Sequence, residues 1–289
     1  MGDRPATAPS DRQELPPIDA VAQSARAHEF DLYLTALLMP AAVRADAIAI
    51  AAFVGELNRV PMFVSEPLIG EIRLQWWRDA LEAGVDGKQS GNPILDAVTT
   101  TARNHALPIG LFQGIIDAQS LGLTDAPPED EMALRQHLAK VFGGAFALLA
   151  RLIDRDGARA HAEWVRDAGI AYGTARAALE FPALLAQGRV LVPQSWLDEE
   201  GVSVDALRTS AGDIAARLLD RMVQSSKSLG DKLARQPVKP TRAVRRACRP
   251  LAMVAPYSNV VGRSGFASGQ MAGDVSPLRR VWAIWRGVR

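Results

Sequence analysis

The feature that most constrains this chain is a helical rhythm of apolar residues, broken by prolines and never giving way to a strand pattern. Leu134, Leu138, Val141, Ala145, Leu148 and Leu152 recur at steps of three or four. So do Leu207, Ala211, Ile214, Leu218 and Met222, and more briefly Ile48, Ala52 and Leu57 with Phe53 beside them. That spacing lines one face of an α-helix. Pro40, Pro61, Pro127-Pro128, Pro237 and Pro240 fall between such segments, where they end helices. Ser65-Glu66-Pro67 has the form of a helix start, with Ser65 as cap and the acid and proline in the first turn. No alternating β-branched stretch exceeds Val190-Leu191-Val192. The pattern predicts helices near 18–38, 41–60, 66–84, 93–105, 108–121, 129–154, 158–184, 203–234, 241–260 and 276–288. With no repeat and no long linker, the expectation is one all-α domain over residues 18–289. Residues 1–17, with four prolines and Asp3, Asp11 and Glu14, read as a disordered tail rather than a targeting segment.

Composition narrows the function classes. The 289 residues suffice for a large core, and 48% hydrophobic with 22% charged residues is globular rather than disordered. A formal charge of +1 argues against a nucleic-acid partner. The single cysteine, Cys248, excludes an internal disulfide and a Cys-based zinc site, which fits a reducing compartment. His28, His105, His137 and His161 lack metal-ligand spacing and read as surface or satisfied core histidines. The longest apolar run, Leu32 to Val43, is too short for a span of roughly 18–20 residues and contains Pro40.

Three local constellations stand out. Arg73, Trp76, Trp77 and Arg78 fall on successive turns of one helix. They read either as an aromatic-lined anion clamp or as core tryptophans with solvated arginines. Arg279, Arg280, Trp282, Trp285, Arg286 and Arg289 suit a helix at an anionic membrane surface, giving peripheral contact; the simpler expectation is that both tryptophans pack on the core. Gly143-Gly144, inside a strong helical pattern, suits a kink or a close helix approach, and no G-x-G-x-x-G follows a strand.

Three stretches resemble the squalene/phytoene synthase family. They are Ala47 to Val60 (AIAIAAFVGELNRV) followed by Glu71 to Leu81 (EIRLQWWRDAL), then Gly169 to Gly201 with its GRVLVP, then Ser276 to Arg286 (SPLRRVWAIWR). With the order of helices, the resemblance covers nearly the whole chain from about Asp19. It implies the all-α isoprenoid synthase fold, with antiparallel helices around a central apolar cavity. In that family two aspartate-rich motifs hold magnesium at the cavity mouth. Hard carboxylate oxygens and water suit magnesium, and the metal neutralises the departing diphosphate.

Here the matching positions depart from the pattern. The first motif reads Asn58, Arg59 and Met62; the second reads Glu180 and Leu184, with Arg176 where the family usually has an amide. Asn58 is a weak ligand, Arg59 is a cation, and magnesium avoids a thioether such as Met62. Glu56 points away from Asn58, and Glu66 and Glu71 read as first-turn acids of the next helix. The expectation is therefore no catalytic residue, no metal and no cofactor, the alternative cofactor being Mg2+. Arg59, Arg73, Arg78, Arg176 and Arg189 would instead form a positively charged mouth for an anion or lipid headgroup.

The stretches most resemble the aspartate-depleted branch known as the complex I assembly factor and its bacterial relatives. The implied function is a non-catalytic protein, a pseudoenzyme, acting in respiratory complex I assembly by binding a partner protein or a prenyl lipid. The alternative is a magnesium-dependent prenyltransferase joining two prenyl diphosphates. The expected location is the bacterial cytoplasm, with peripheral contact at the inner membrane.

Overall fold

The computed structural model describes residues 17–64, 66–124, 126–209, 212–264 and 274–287, and no strand occurs among them. The expected tail up to residue 16 and the cap at Ser65 lie outside this set. The chain runs through α1 (Pro17–His28), α2 (Phe30–Leu37), α3 (Arg44–Arg59), α4 (Pro67–Val85), α5 (Pro93–Asn104) and α6 (Ile109–Ala118). It continues through α7 (Glu131–Leu138), α8 (Gly144–Ile153), α9 (Arg155–Ala160), α10 (Ala162–Ala186), α11 (Gln194–Glu199) and α12 (Val204–Thr209). The last elements are α13 (Gly212–Arg235), α14 (Arg242–Ala247), α15 (Val254–Ser264) and α16 (Pro277–Arg286). Local chemistry sets several starts. Asn92 Oδ1 accepts from the amides of Ile94 (3.0 Å) and Leu95 (3.1 Å) just ahead of Pro93. Asp130 caps α7 through the Ala133 amide at 2.7 Å.

α10 organises the fold. Its small residues, Ala168 through Ala178 with Gly169 and Gly173, are buried on every side, as a central helix requires. It packs on α13, α15 and the segment between α7 and α8, while α3 lies against α1, α2 and α5. One apolar cluster includes Ile50, Phe53, Leu57, Phe112, Phe146 and Tyr172. A second gathers Phe181, Val192, Trp196, Leu207, Leu218 and Met222 around the far end of α10.

The structure corrects the sequence reading in several places. The 18–38 helix breaks at Glu29, whose φ of −143° and ψ of 62° separate α1 from α2. The 129–154 helix contains a π turn over Ala139–Gly143. The 158–184 helix begins after a break at His161, and α11 was not expected. Glu66 sits at the cap position of α4 rather than inside its first turn.

The glycines do bring helices together, through an unforeseen partner. A Cβ on Gly169 would sit 2.5 Å from Gly143 Cα and 2.6 Å from the Phe142 carbonyl carbon. Those are backbone atoms, which cannot turn aside. Gly169→Ala is therefore expected to cost about 1–3 kcal/mol in urea unfolding. A change below a few tenths would show that α10 and the π turn separate without resistance.

α16 carries two interleaved rows. Arg280, Ala283, Ile284 and Gly287 turn inward: Ala283 and Ile284 are buried, and Gly287 lies against Ala252. Leu278, Val281, Trp282 and Trp285 form the opposite row and are 84%, 43%, 54% and 52% exposed. The expectation that both tryptophans pack on the core is wrong. Its physical cause is Arg280, which is held inward by an ion pair from Nε to Asp31 Oδ1 (3.1 Å) and by its Nη2 donating to the Tyr257 hydroxyl (2.6 Å).

Candidate functional site

Two acids in an otherwise apolar stretch, Glu29 and Asp31, are both buried, and each meets a different rung of α10. Tyr172 and Arg176 stand one turn apart on α10, so their side chains lie on one face. Tyr172 donates to Asp31 Oδ2 at 2.9 Å, and the Tyr257 hydroxyl donates to the same oxygen. Arg176 Nη1 donates to Glu29 Oε1, while its Nε donates to Glu180 Oε1 at 2.8 Å, one further turn along. Glu29 Oε2 accepts from Asn58 Nδ2 at 3.2 Å, and Asn58 Oδ1 accepts from Gln119 Nε2 at 3.1 Å. A continuous polar chain thus joins α3 to α10 through the buried Glu29.

The ionisation of this chain follows from burial. Burial works against the Arg176 charge, yet Glu29 and Glu180 hold its pKa well above the ordinary arginine value. Burial also pushes the Glu29 carboxyl above the usual glutamate range, with the adjoining guanidinium opposing that shift.

Beside the chain opens a cavity of about 280 Å³, at the small end of small-molecule sites. Asn58, Arg59 and Met62 line it from α3 and the 3-10 turn Val60–Met62; Arg176, Glu180 and Leu184 line it from α10. The structure therefore brings both degenerate motifs to one place. Leu138, Val141 and Phe142 supply apolar wall, together with His137. The His137 Nδ1 proton is donated to the Ala118 carbonyl at 3.1 Å. Burial, with Lys140 acting in the same sense, lowers its pKa to about 4. At neutral pH the ring is uncharged, and its Nε2 is a lone-pair acceptor.

The expected positive mouth does not form. Arg59 Nη1 donates to His28 Nε2 (2.8 Å) and to Glu56 Oε1 (3.3 Å), and its guanidinium lies 4.7 Å from the Phe63 ring centre. Arg189 Nη1 donates to the Pro61 carbonyl at 2.9 Å and Nη2 to the Gly122 carbonyl, tying two turns of the rim together. With Arg176 held by Glu29 and Glu180, the three arginines meet three carboxylates in formal charge. Arg73 and Arg78 are not at this cavity. Arg73 lies on an outer groove with Phe63, Ile69, Ile72 and Trp76, and Arg78 pairs with Asp117 at 2.7 Å on the surface. The tryptophan pair divides: Trp77 is buried edge-on against Phe53 (5.6 Å), while Trp76 is exposed.

The donor set does not suit a magnesium cluster. Among the described residues Glu180 is the one carboxylate lining the cavity, and it shares a guanidinium with Glu29. Both ends of the Asn58 amide are engaged. Among the described residues no group of three or more His, Cys, Asp or Glu side chains is arranged to hold a metal ion. Sequence reasoning missed Glu29, Asp31 and Gln119; it read His137 as a surface or satisfied core histidine, and its bond to the Ala118 carbonyl makes it the latter. The legible signal was Glu29 and Asp31 beside Phe30, Leu32 and Leu34, since acids in an apolar run need buried partners.

Residues 25–281 match the family model described as squalene/phytoene synthase. A 100-residue stretch is 31% identical to the Bos taurus protein named NADH dehydrogenase (ubiquinone) complex I, assembly factor 6, covering 35% of this chain and 30% of that protein. Its Homo sapiens counterpart is 30% identical over 100 residues, with the same coverage. These matches thus span less than a third of the relatives' length. The fold is similar to a dehydrosqualene synthase solved in complex with ligand, with a TM-score of 0.77, 15% identity and coverage of 94% and 95% of the two chains. It is also similar to squalene synthase HpnC from Alicyclobacillus acidocaldarius, with a TM-score of 0.69, 19% identity and coverage of 86% and 94%. At such identities the likeness is one of fold.

Proposed function

The chain belongs to the squalene/phytoene synthase family, and we propose that it is a non-catalytic member serving respiratory complex I assembly by binding a partner protein or a prenyl lipid. One observation carries this reading: the Arg176 guanidinium sits between Glu29 and Glu180. Glu180, the carboxylate remaining at the motif positions, is met by a cation built into α10. A fixed monovalent charge stabilises a departing diphosphate less than magnesium ions bridging its oxygens. The mouth offers a lipid its apolar wall and the neutral His137 acceptor, with little unpaired positive charge. Outside it, Phe63, Leu68, Ile69, Ile72 and Trp76 leave an exposed apolar surface of the kind that partner proteins cover. The identity to assembly factor 6 supports the assembly role.

The second reading, a magnesium-dependent head-to-head prenyltransferase, is favoured by the likeness to two synthases and by the apolar cavity with Glu180 at its edge. Incubation of the purified protein with magnesium and farnesyl or geranylgeranyl diphosphate separates the two. The expected result is no diphosphate release above a protein-free control. In the source organism, deletion is expected to lower the assembled NADH:quinone oxidoreductase on native gels. Steady release of diphosphate that depends on Glu180 would establish the transferase reading instead.

A further inference from the structure

The near-zero net charge conceals a strong segregation along the chain. Residues 236–289 contain ten Arg or Lys and one acid, Asp274, against whole-chain totals of 33 basic and 32 acidic residues. The remainder therefore holds 23 basic and 31 acidic residues. The basic part folds as α14, the 3-10 turn Arg249–Met253, α15 and α16. Its arginines divide into two kinds. Arg280 is paired inward with Asp31, whereas Arg242, Arg246 and Arg249 gather with no carboxylate among them. Arg249 is only 9% exposed, and among the described residues its Nε and Nη1 have no hydrogen-bond partner; neither has the buried Nε of Arg246. Burial, followed by the charges of Arg246 and Arg242, lowers the Arg249 pKa, as expected where like charges gather.

This cluster adjoins α16. Gly287, at the end of that helix, packs so closely that a Cβ on it would stand 2.6 Å from Ala252 Cβ and 3.7 Å from the Arg249 carbonyl oxygen. The outward row of α16, Leu278, Val281, Trp282 and Trp285, is flanked by Arg279 and Arg286, and the helix has no acidic residue. Arg286 stacks 4.8 Å from the Trp282 ring centre. A short helix with tryptophans outward and arginines alongside suits the boundary between headgroups and acyl chains. No described helix is long and apolar enough to cross a membrane, so contact of this kind is peripheral.

We propose that α16 and the adjoining Arg242–Arg246–Arg249 cluster form a docking face for an anionic membrane, with Trp282 and Trp285 entering the interface and the cluster receiving a phospholipid phosphate. Guanidinium N–H groups suit phosphate oxygens bidentately. The inward pairing of Arg280 keeps the tryptophan row turned outward before contact.

The test is co-sedimentation of the full chain with phosphatidylcholine vesicles, with and without phosphatidylglycerol. Binding is expected only to the anionic vesicles and is expected to weaken with salt. Arg242→Ala, at an exposed position, should weaken it roughly fivefold, the order expected for one arginine near an anionic surface. Trp282→Ala, also exposed, should weaken it further at an unchanged melting temperature. Equal binding to neutral vesicles, or unchanged binding by both variants, would overturn the proposal. Absence of binding to either vesicle would do the same and leave α16 as a protein-facing surface. If inorganic phosphate raised the melting temperature through Arg242 while vesicles did not bind, the cluster would be a soluble-anion site, and the membrane assignment would fall.

Discussion

Replacing Asp31 with alanine is expected to lower the unfolding free energy by about 3–5 kcal/mol, the usual consequence of removing one partner from a buried ion pair. Asp31 accepts from two tyrosine hydroxyls and pairs with Arg280, and the burial of Tyr172 and Tyr257 leaves them no solvent to turn to. Burial, followed by the carboxylate beside them, already holds both phenols well above their ordinary pKa. The variant strands three polar groups at once, and it removes the contact that fixes the rotation of α16. Urea unfolding monitored by circular dichroism gives the magnitude. A loss below about 1 kcal/mol would mean that water readily replaces the carboxylate and that the network contributes little.

Acid is expected to destabilise the protein through His137. Its pKa is about 4 when folded, against an ordinary 6.5. Between those values the unfolded chain binds a proton that the folded chain refuses, so stability falls as pH drops from 6.5 towards 4 and is not lost further below. The shift corresponds to on the order of 3 kcal/mol. His28, lowered by burial and then by Arg59, contributes in the same direction. The clean readout is therefore the difference from His137→Asn, whose side-chain amide can still donate to the Ala118 carbonyl. The variant should lose most of the slope across this window. An identical slope in both proteins would place the titration elsewhere.

The fold was largely legible because helical periodicity and proline breaks are local signals. The breaks at Glu29 and His161 were not, since nothing apolar changes rhythm there; the reason for the first lies across the molecule on Tyr172 and Arg176. The convergence of Asn58, Arg59, Met62, Arg176, Glu180 and Leu184 on one cavity followed the resemblance, not composition. What the arginines do there was hidden from the sequence. Arg59, Arg176 and Arg189 looked like free charges, and each is engaged by a group far away in the chain: His28, Glu29 and the Gly122 carbonyl. The outward turn of Trp282 and Trp285 was equally hidden, because α16 offers two rows with the same spacing and a distant carboxylate chooses between them. The basic C-terminal stretch was readable and was masked by averaging charge over the whole chain.

The π turn at Ala139–Gly143 lets the cavity wall change its length without changing its facing. Such a turn holds one residue more than the α-helix around it, and the wider turn still closes in about one revolution. Dropping a residue from this stretch would tighten it into ordinary helix with α7 and α8 still facing as they do, and would remove only the bulge that carries Val141 and Phe142 of the wall. Descendants of this gene could therefore alter the wall at those two side chains by a three-nucleotide change in length, leaving the packing around Phe146 and Leu149 untouched.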